Sequence, residues 1–249
     1  MARPTQRRRR RTALVTTTAA MAAVLATSVS TDLAAARPIG NFDVGGAIEV
    51  EYDQAGGPDV FGDPTSPESD AANGGKWQSF DRNAVIYWHP VTGAHQVGGP
   101  ILDKWRNLGL ENGVLRYPVT DEQSTPSKPG RFNHFQGGSI YWSVGTAAHQ
   151  IGGAIRDKWA SYGWESSPLG FPITDEAAAK DNGRYNLFND GAIYWSPRYG
   201  AHVVWGAIRT TWEARAGANG AYGYPTGDEY DYEGGKAQEF QGGRITWKP

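Results

Sequence analysis

The sequence predicts a mainly β chain with short helices, an α+β repeat of four tandem units of about 54 residues each. Three observations predict it. Aromatic and glycine landmarks return in one frame four times. The 33 glycines and 15 prolines punctuate the chain often enough for many short elements joined by tight turns. All 10 tryptophans, 12 tyrosines and 8 phenylalanines lie after residue 41, so the core is aromatic and belongs to the repeating part.

Residues 1–36 read as a signal peptide. Arg7 to Arg11 form a basic run, a mildly apolar stretch runs from Thr12 to Val29, and Ala34-Ala35-Ala36 is a small-residue cleavage site. The apolar stretch is too short and too rich in threonine to span a bilayer. The basic run fits either the general secretory or the twin-arginine route. The leader carries six arginines against one acid. The whole chain has a net charge of −2, so removing that +5 leaves the remainder near −7. An acidic surface argues against nucleic acid and anionic lipid as partners. With no cysteine, an exported domain rests on its own core, and residues 37–249 suffice for one as a single domain.

The four units run at about 45–97, 98–151, 152–204 and 205–249. Gly45-Gly46, Gly98-Gly99, Gly152-Gly153 and Trp205-Gly206 open them, and Tyr52, Trp105, Trp159 and Trp212 follow seven residues later. Unit three shows the local logic. Ile155, Trp159 and Tyr162 lie at i, i+4 and i+7, one face of a helix over 153–162, with Gly163 placed to stop it. Leu169-Gly170-Phe171-Pro172 is a turn whose proline breaks any helix. Residues 183–196 alternate and are split by Asn189-Asp190-Gly191, a hairpin signal. The equivalent turns are Asp81-Arg82-Asn83, Gln136-Gly137-Gly138 and Gln241-Gly242-Gly243. Ala201-His202-Val203-Val204 is a third strand leading to the next helix.

The last unit ends without that third strand, while Asn41-Phe42-Asp43-Val44 sits in its frame ahead of the first unit. The N-terminal segment is therefore expected to complete the last unit and to close a pseudo-fourfold, propeller-like ring, which would also cover the terminal sheet edges.

The tetrapeptides Phe61-Gly62-Asp63-Pro64, Leu115-Arg116-Tyr117-Pro118, Leu169-Gly170-Phe171-Pro172 and Tyr222-Gly223-Tyr224-Pro225 carry a family resemblance. Together with the aromatic frame and the following Thr-Asp-Glu at 120–122 and 174–176, they make the chain similar to the LGFP repeat family. The resemblance spans about Gly45 to Trp247, with unit one departing most. It implies a ring-like fold and a secreted, cell-wall-associated actinobacterial protein whose repeats hold wall glycan, arabinogalactan or peptidoglycan.

Several constellations were candidates for chemistry. In each Tyr-Trp pair of the hairpins the two side chains face opposite ways. Tyr87, Trp88, Tyr141, Trp142, Tyr194, Trp195 and Trp247 are thus the candidates for stacking on sugar rings. The helix tryptophans 105, 159 and 212 are read as core. His95, His149 and His202 share a frame position completed by Phe42. That fits structural hydrogen bonding better than a metal, and no metal or other cofactor is expected. His89 and His134 fall outside the frame and are read as surface residues. The acid pairs 121–122, 175–176 and 228–229 are read as turn or capping groups. Glu229 to Gly234 lacks the spacing of a calcium loop. No nucleophile elbow or phosphate loop is present, and no catalytic residue is assigned. Repeated landmarks suit multivalent binding to a repetitive polymer better than a single active centre. The expected function is a non-catalytic, wall-tethering module. The alternatives are a secreted hydrolase of wall polymer or ester, and a scaffold that binds a partner protein.

Overall fold

A computed structural model describes residues 36–249. The expected leader lies outside the described residues except for Ala36. A hairpin of β1 (Arg37–Ile39) and β2 (Phe42–Val44) comes first. Unit one contains α1 (Gly46–Gln54), α2 (Gly57–Phe61) and an antiparallel sheet of β3 (Ser69–Asp70), β4 (Lys76–Phe80), β5 (Ala84–His89) and β6 (Gly93–Gly98). Unit two has α3 (Gly99–Asn107) and the sheet β7 (Gln123–Ser124), β8 (Arg131–Phe135), β9 (Gly138–Ser143), β10 (Ala147–Gly152). Unit three has α4 (Gly153–Tyr162) and β11 (Ala177–Ala178), β12 (Arg184–Phe188), β13 (Gly191–Ser196), β14 (Gly200–Trp205). Unit four has α5 (Gly206–Glu213) and only β15 (Tyr230–Tyr232), β16 (Gly235–Phe240) and β17 (Gly243–Trp247). The chain is thus mainly β with few helices, in four tandem repeats. Among the described residues no helix is long and apolar enough to cross a membrane.

The helix, hairpin and third strand of each complete unit lie where periodicity placed them. The short outermost strands β3, β7, β11 and β15 were not expected. The N-terminal segment corrects the expectation. β2 pairs with β1, in the register Arg37↔Val44 to Ile39↔Phe42, and β17 pairs with β16. β2 does not complete the last sheet. Its Val44 joins the core of unit one with Ile48, Tyr52, Phe61 and Phe80, taking the place that β6, β10 and β14 take against the units after them. Helix α1 needs an apolar strand on that side, and β2 meets the need locally without a long loop closure.

The repeating residues explain themselves as bonds. The second residue of each tetrapeptide is left-handed: Gly62 at φ +71°, Arg116 at +58°, Gly170 at +71° and Gly223 at +62°. Glycine adopts that conformation without strain. Pro64, Pro118, Pro172 and Pro225 then form bridges to Phe80, Phe135, Phe188 and Phe240. At the start of each helix only the second residue of the opening pair has positive φ, as at Gly153 (+47°) and Gly206 (+53°). The first is extended at −139° for Gly152 and −145° for Trp205, which is why tryptophan is tolerated there.

Units adhere through aromatics and amides. Trp105, Trp159 and Trp212 are fully buried. The hairpin tyrosine of each preceding unit meets them edge-on: Tyr87 to Trp105 at 4.8 Å, Tyr141 to Trp159 at 4.6 Å, Tyr194 to Trp212 at 4.8 Å. Such contacts add to the area the rings bury. A buried amide does the rest. Gln78 donates to Asp43 O and Ser66 O, and Asn133 to Gln96 O and Thr120 O. Asn186 donates to Gln150 O and Thr174 O, and Gln238 to Val203 O and Gly227 O. Each amide fastens its own turn to the strand before its unit, where an unpaired carbonyl would be costly.

Candidate functional site

The hairpin tryptophans lie on the sheet face opposite the core tyrosines, and each faces a basic residue across the strand pair. The register pairs Lys76 with Trp88, Arg131 with Trp142, Arg184 with Trp195 and Lys236 with Trp247. The second acid of the turn stands beside that base. Lys76–Glu68 is 3.8 Å, Arg131–Glu122 3.6 Å and Arg184–Glu176 3.9 Å, and Glu229 lines the same cavity as Lys236. Every unit therefore carries an indole, a base and a glutamate together, at the start of its own helix.

Three of these positions enclose grooves. Between units two and three, Trp195, Arg184, Glu176, Gly153 and Ile155 line about 620 Å³ with Val114 and Gly137 of unit two. Between units three and four, Trp247, Lys236, Glu229, Trp205 and Ile208 line about 350 Å³ with Pro168 of unit three. Ahead of unit one, Glu68, Gly45 and Gly46 line about 620 Å³ with Phe42, and Trp88 and Lys76 are not part of that lining. At the junction of units one and two the same groups meet: the Gly98 N–H donates to Glu122 Oε2 at 3.3 Å. Burial raises the Glu122 carboxyl above its usual range, against the opposing effects of Arg131 and this N–H.

The candidate aromatics divide cleanly. Trp88, Trp142 and Trp195 are half-buried and Trp247 is 43 % exposed, so each keeps surface for a ligand. Tyr87 and Tyr141 are buried at 4 % and 2 %, and Tyr194 packs in the core of unit four. All three tyrosines pack in the seams between units; Tyr87 and Tyr141 are closed to a ligand, and Tyr194 is half-buried. Alternation correctly put the members of each pair on opposite faces; which face the next helix covers is a long-range fact.

The remaining titratable groups also tie units together. His95 Nδ1 donates to Asp121 at 2.8 Å and Nε2 to Thr92 O at 2.9 Å. Both nitrogens face acceptors, the bond to Asp121 above all, and the imidazole is held above its usual pKa. His202 repeats the arrangement with Tyr199 O and Asp228, while His149 bonds Thr146 O and its Nδ1 lies 3.4 Å from Asp175. Lys104 bonds Asp175 at 2.8 Å and Lys158 bonds Asp228, each reaching from one unit to the next. Burial pulls both aspartates up, but histidine, lysine and a backbone N–H hold them well below the ordinary carboxylate range. The first acid of each pair is thus an inter-unit tie as well as a turn group.

At the first junction the lysine is replaced by Glu51. Burial first, and the nearby Asp121 carboxylate second, push its carboxyl up to about 7. The His95 bond keeps Asp121 ionised.

His134 is not a surface residue. It bonds Ser139 Oγ at 2.7 Å and packs against Trp164 and Phe132. His89 is also partly covered, against Tyr117 at 4.5 Å. The bases beside the tryptophans were missed in the sequence. The signal was present: Arg131, Arg184 and Lys236 each stand eleven residues before their tryptophan, and Lys76 twelve before Trp88, where the turn is one residue longer.

A family model described as the LGFP repeat matches residues 61–113, 115–167, 169–220 and 223–249. Its frame opens at the tetrapeptide, so each of the first three matches takes in one sheet and the helix that follows it, and the fourth takes in the last sheet alone. Among curated proteins none matches the chain.

Proposed function

The chain belongs to the LGFP repeat family, and from that premise we propose that it is an exported, non-catalytic module that tethers to cell-wall glycan, arabinogalactan or peptidoglycan, through its inter-unit grooves. The observation that carries the reading is the fourfold recurrence of tryptophan, base and glutamate in cross-strand register. An indole face takes the C–H side of a sugar ring. A guanidinium or ammonium beside a carboxylate supplies the donors and acceptors that hydroxyl groups need. Several weak sites on one polymer gain avidity without tight individual contacts. The closed pseudo-fourfold ring belongs with this proposal, without the strand that was to join its ends. The reading itself needs only neighbouring units.

Sedimentation with purified cell wall tests it. The full chain is expected in the pellet, and the triple variant Trp142→Ala, Trp195→Ala, Trp247→Ala in the supernatant. Wild-type protein left in the supernatant sinks the reading. Release by soluble protein extract and not by soluble glycan would favour a protein-binding scaffold instead. Release of wall fragments by the purified protein would favour a hydrolase.

A further inference from the structure

The four units differ at the first residue of the pair that opens each of them. It is Gly45, Gly98 and Gly152 in three units and Trp205 in the fourth. A Cβ built on Gly98 would lie 3.5 Å from Glu122 Oε2, and one on Gly152 3.4 Å from Glu176 Oε2. A side chain grown from this position therefore starts out towards the glutamate of the groove. Trp205 puts an indole there, and it lines the same cavity as Trp247. The Trp205 ring is braced edge-on by Tyr162 at 5.7 Å, which limits its rotation. Trp247 is 43 % exposed and has Lys236 directly across the strand pair.

We propose that the groove between units three and four is a two-indole clamp that takes a single sugar ring, and that it binds more tightly than the one-indole groove between units two and three. This deepens the glycan reading and rests on it. Both indoles are amphipathic platforms on one cavity of about 350 Å³, lined also by the apolar Ile208 and Pro168 and by the charged Lys236, Glu229 and Asp190. The charged lining distinguishes a polyol from an acyl chain as occupant, because an acyl chain would strip water from Lys236 and Glu229 and return no hydrogen bond. The groove between units two and three has one indole, Trp195, and Gly152 stands where Trp205 does.

The test uses the full chain and soluble arabinan, galactan and peptidoglycan oligosaccharides, followed by calorimetry and tryptophan fluorescence. Trp205→Gly restores the residue found at the same extended position in the other units, so the fold is expected to hold. Its affinity for the oligosaccharide that binds wild type best is expected to fall roughly tenfold, the loss of one stacked ring. Trp195→Ala, which empties a one-indole groove, is expected to cost less than about threefold. If Trp205→Gly binds as wild type does while Trp195→Ala loses as much as Trp247→Ala, the clamp is refuted and the general glycan reading stands. If wild type binds none of the oligosaccharides and no purified wall, the underlying reading fails. If Trp205→Gly loses binding of a dodecyl-chain probe and of no sugar, the clamp as a sugar site is refuted. Should Trp205→Gly melt early, Trp247→Ala makes the same comparison from the exposed side of the clamp: a tenfold loss supports it, and a loss equal to that of Trp195→Ala overturns it.

Discussion

Replacing Glu51 by lysine should make the first junction a copy of the next two. At those junctions Lys104 and Lys158 neutralise Asp175 and Asp228, whereas Glu51 sets a second carboxyl against Asp121. A carboxyl whose pKa rises from 4.5 to about 7 on folding stabilises the fold while it is protonated. That stability is lost as pH climbs through this window, because the unfolded chain gives up its proton first. At about 1.4 kcal/mol per unit the loss is bounded near 3.4 kcal/mol, and screening of a half-exposed group brings it to about 1.5 kcal/mol. His95, held above its usual pKa by Asp121, adds a slope of the same sign above about pH 6.5. His134 acts the other way: burial, then Arg156, press it down to about 4, so its contribution is lost as pH falls from 6.5 towards 4. The wild-type profile mixes these slopes, and only the difference between variant and wild type isolates residue 51. By calorimetry Glu51→Lys is expected to melt about 3–6 °C above wild type at pH 8 and within about 2 °C at pH 5. An advantage equal at both pH values, or reversed at pH 8, would refute the pairing of Glu51 with Asp121.

Two further variants probe the repeat itself. Asn186→Leu removes two buried donors, to Gln150 O and Thr174 O, and is expected to cost about 2–3 kcal/mol in urea unfolding. Asn186→Gln should cost less, since Gln78 and Gln238 do the same work elsewhere; a loss below about 1 kcal/mol for leucine would show that the amide is not a fastener. Arg116→Gly relieves a left-handed residue at φ +58° and is expected to raise stability by about 0.5–1 kcal/mol, with a higher denaturation midpoint as the readout. Any lowering of the midpoint would contradict the strain argument.

Local patterns were legible in the sequence because they are set by near neighbours. The helix at 153–162, its stop at Gly163 and the turn at Asn189-Asp190-Gly191 follow from periodicity and glycine placement, and the structure has them. What failed depended on partners far along the chain. The Asn41–Val44 segment has the composition to complete either the last sheet or the first core, and only the β1 pairing decides. Tyr141 was equally eligible for surface or seam until Trp159 covered it. Asn133 and Asn186 gave no signal, because asparagine in a strand reads as a weak position, and the two carbonyls that employ it come from elsewhere. The bases facing the tryptophans were visible as a frame, but their meaning required the strand register.

The frame also tells which departures are free to carry function. Much of what recurs is accounted for by the fold: the buried amides, the left-handed second residue, the proline bridge and the aromatic seam all have structural partners. A departure that broke one of these would cost stability, as Arg116 is expected to do. Glu51 and Trp205 depart differently. Neither position demands its usual residue: Trp205 is extended backbone, and the lysine frame at 51 holds a carboxyl raised by burial. Substitution there leaves the scaffold intact and alters what a junction or groove does. The units are equivalent as architecture and unequal as sites. A polymer bound across them would be gripped hardest at the C-terminal end, where two indoles share one cavity, while the first junction adds a pH response of its own through the raised Glu51 carboxyl.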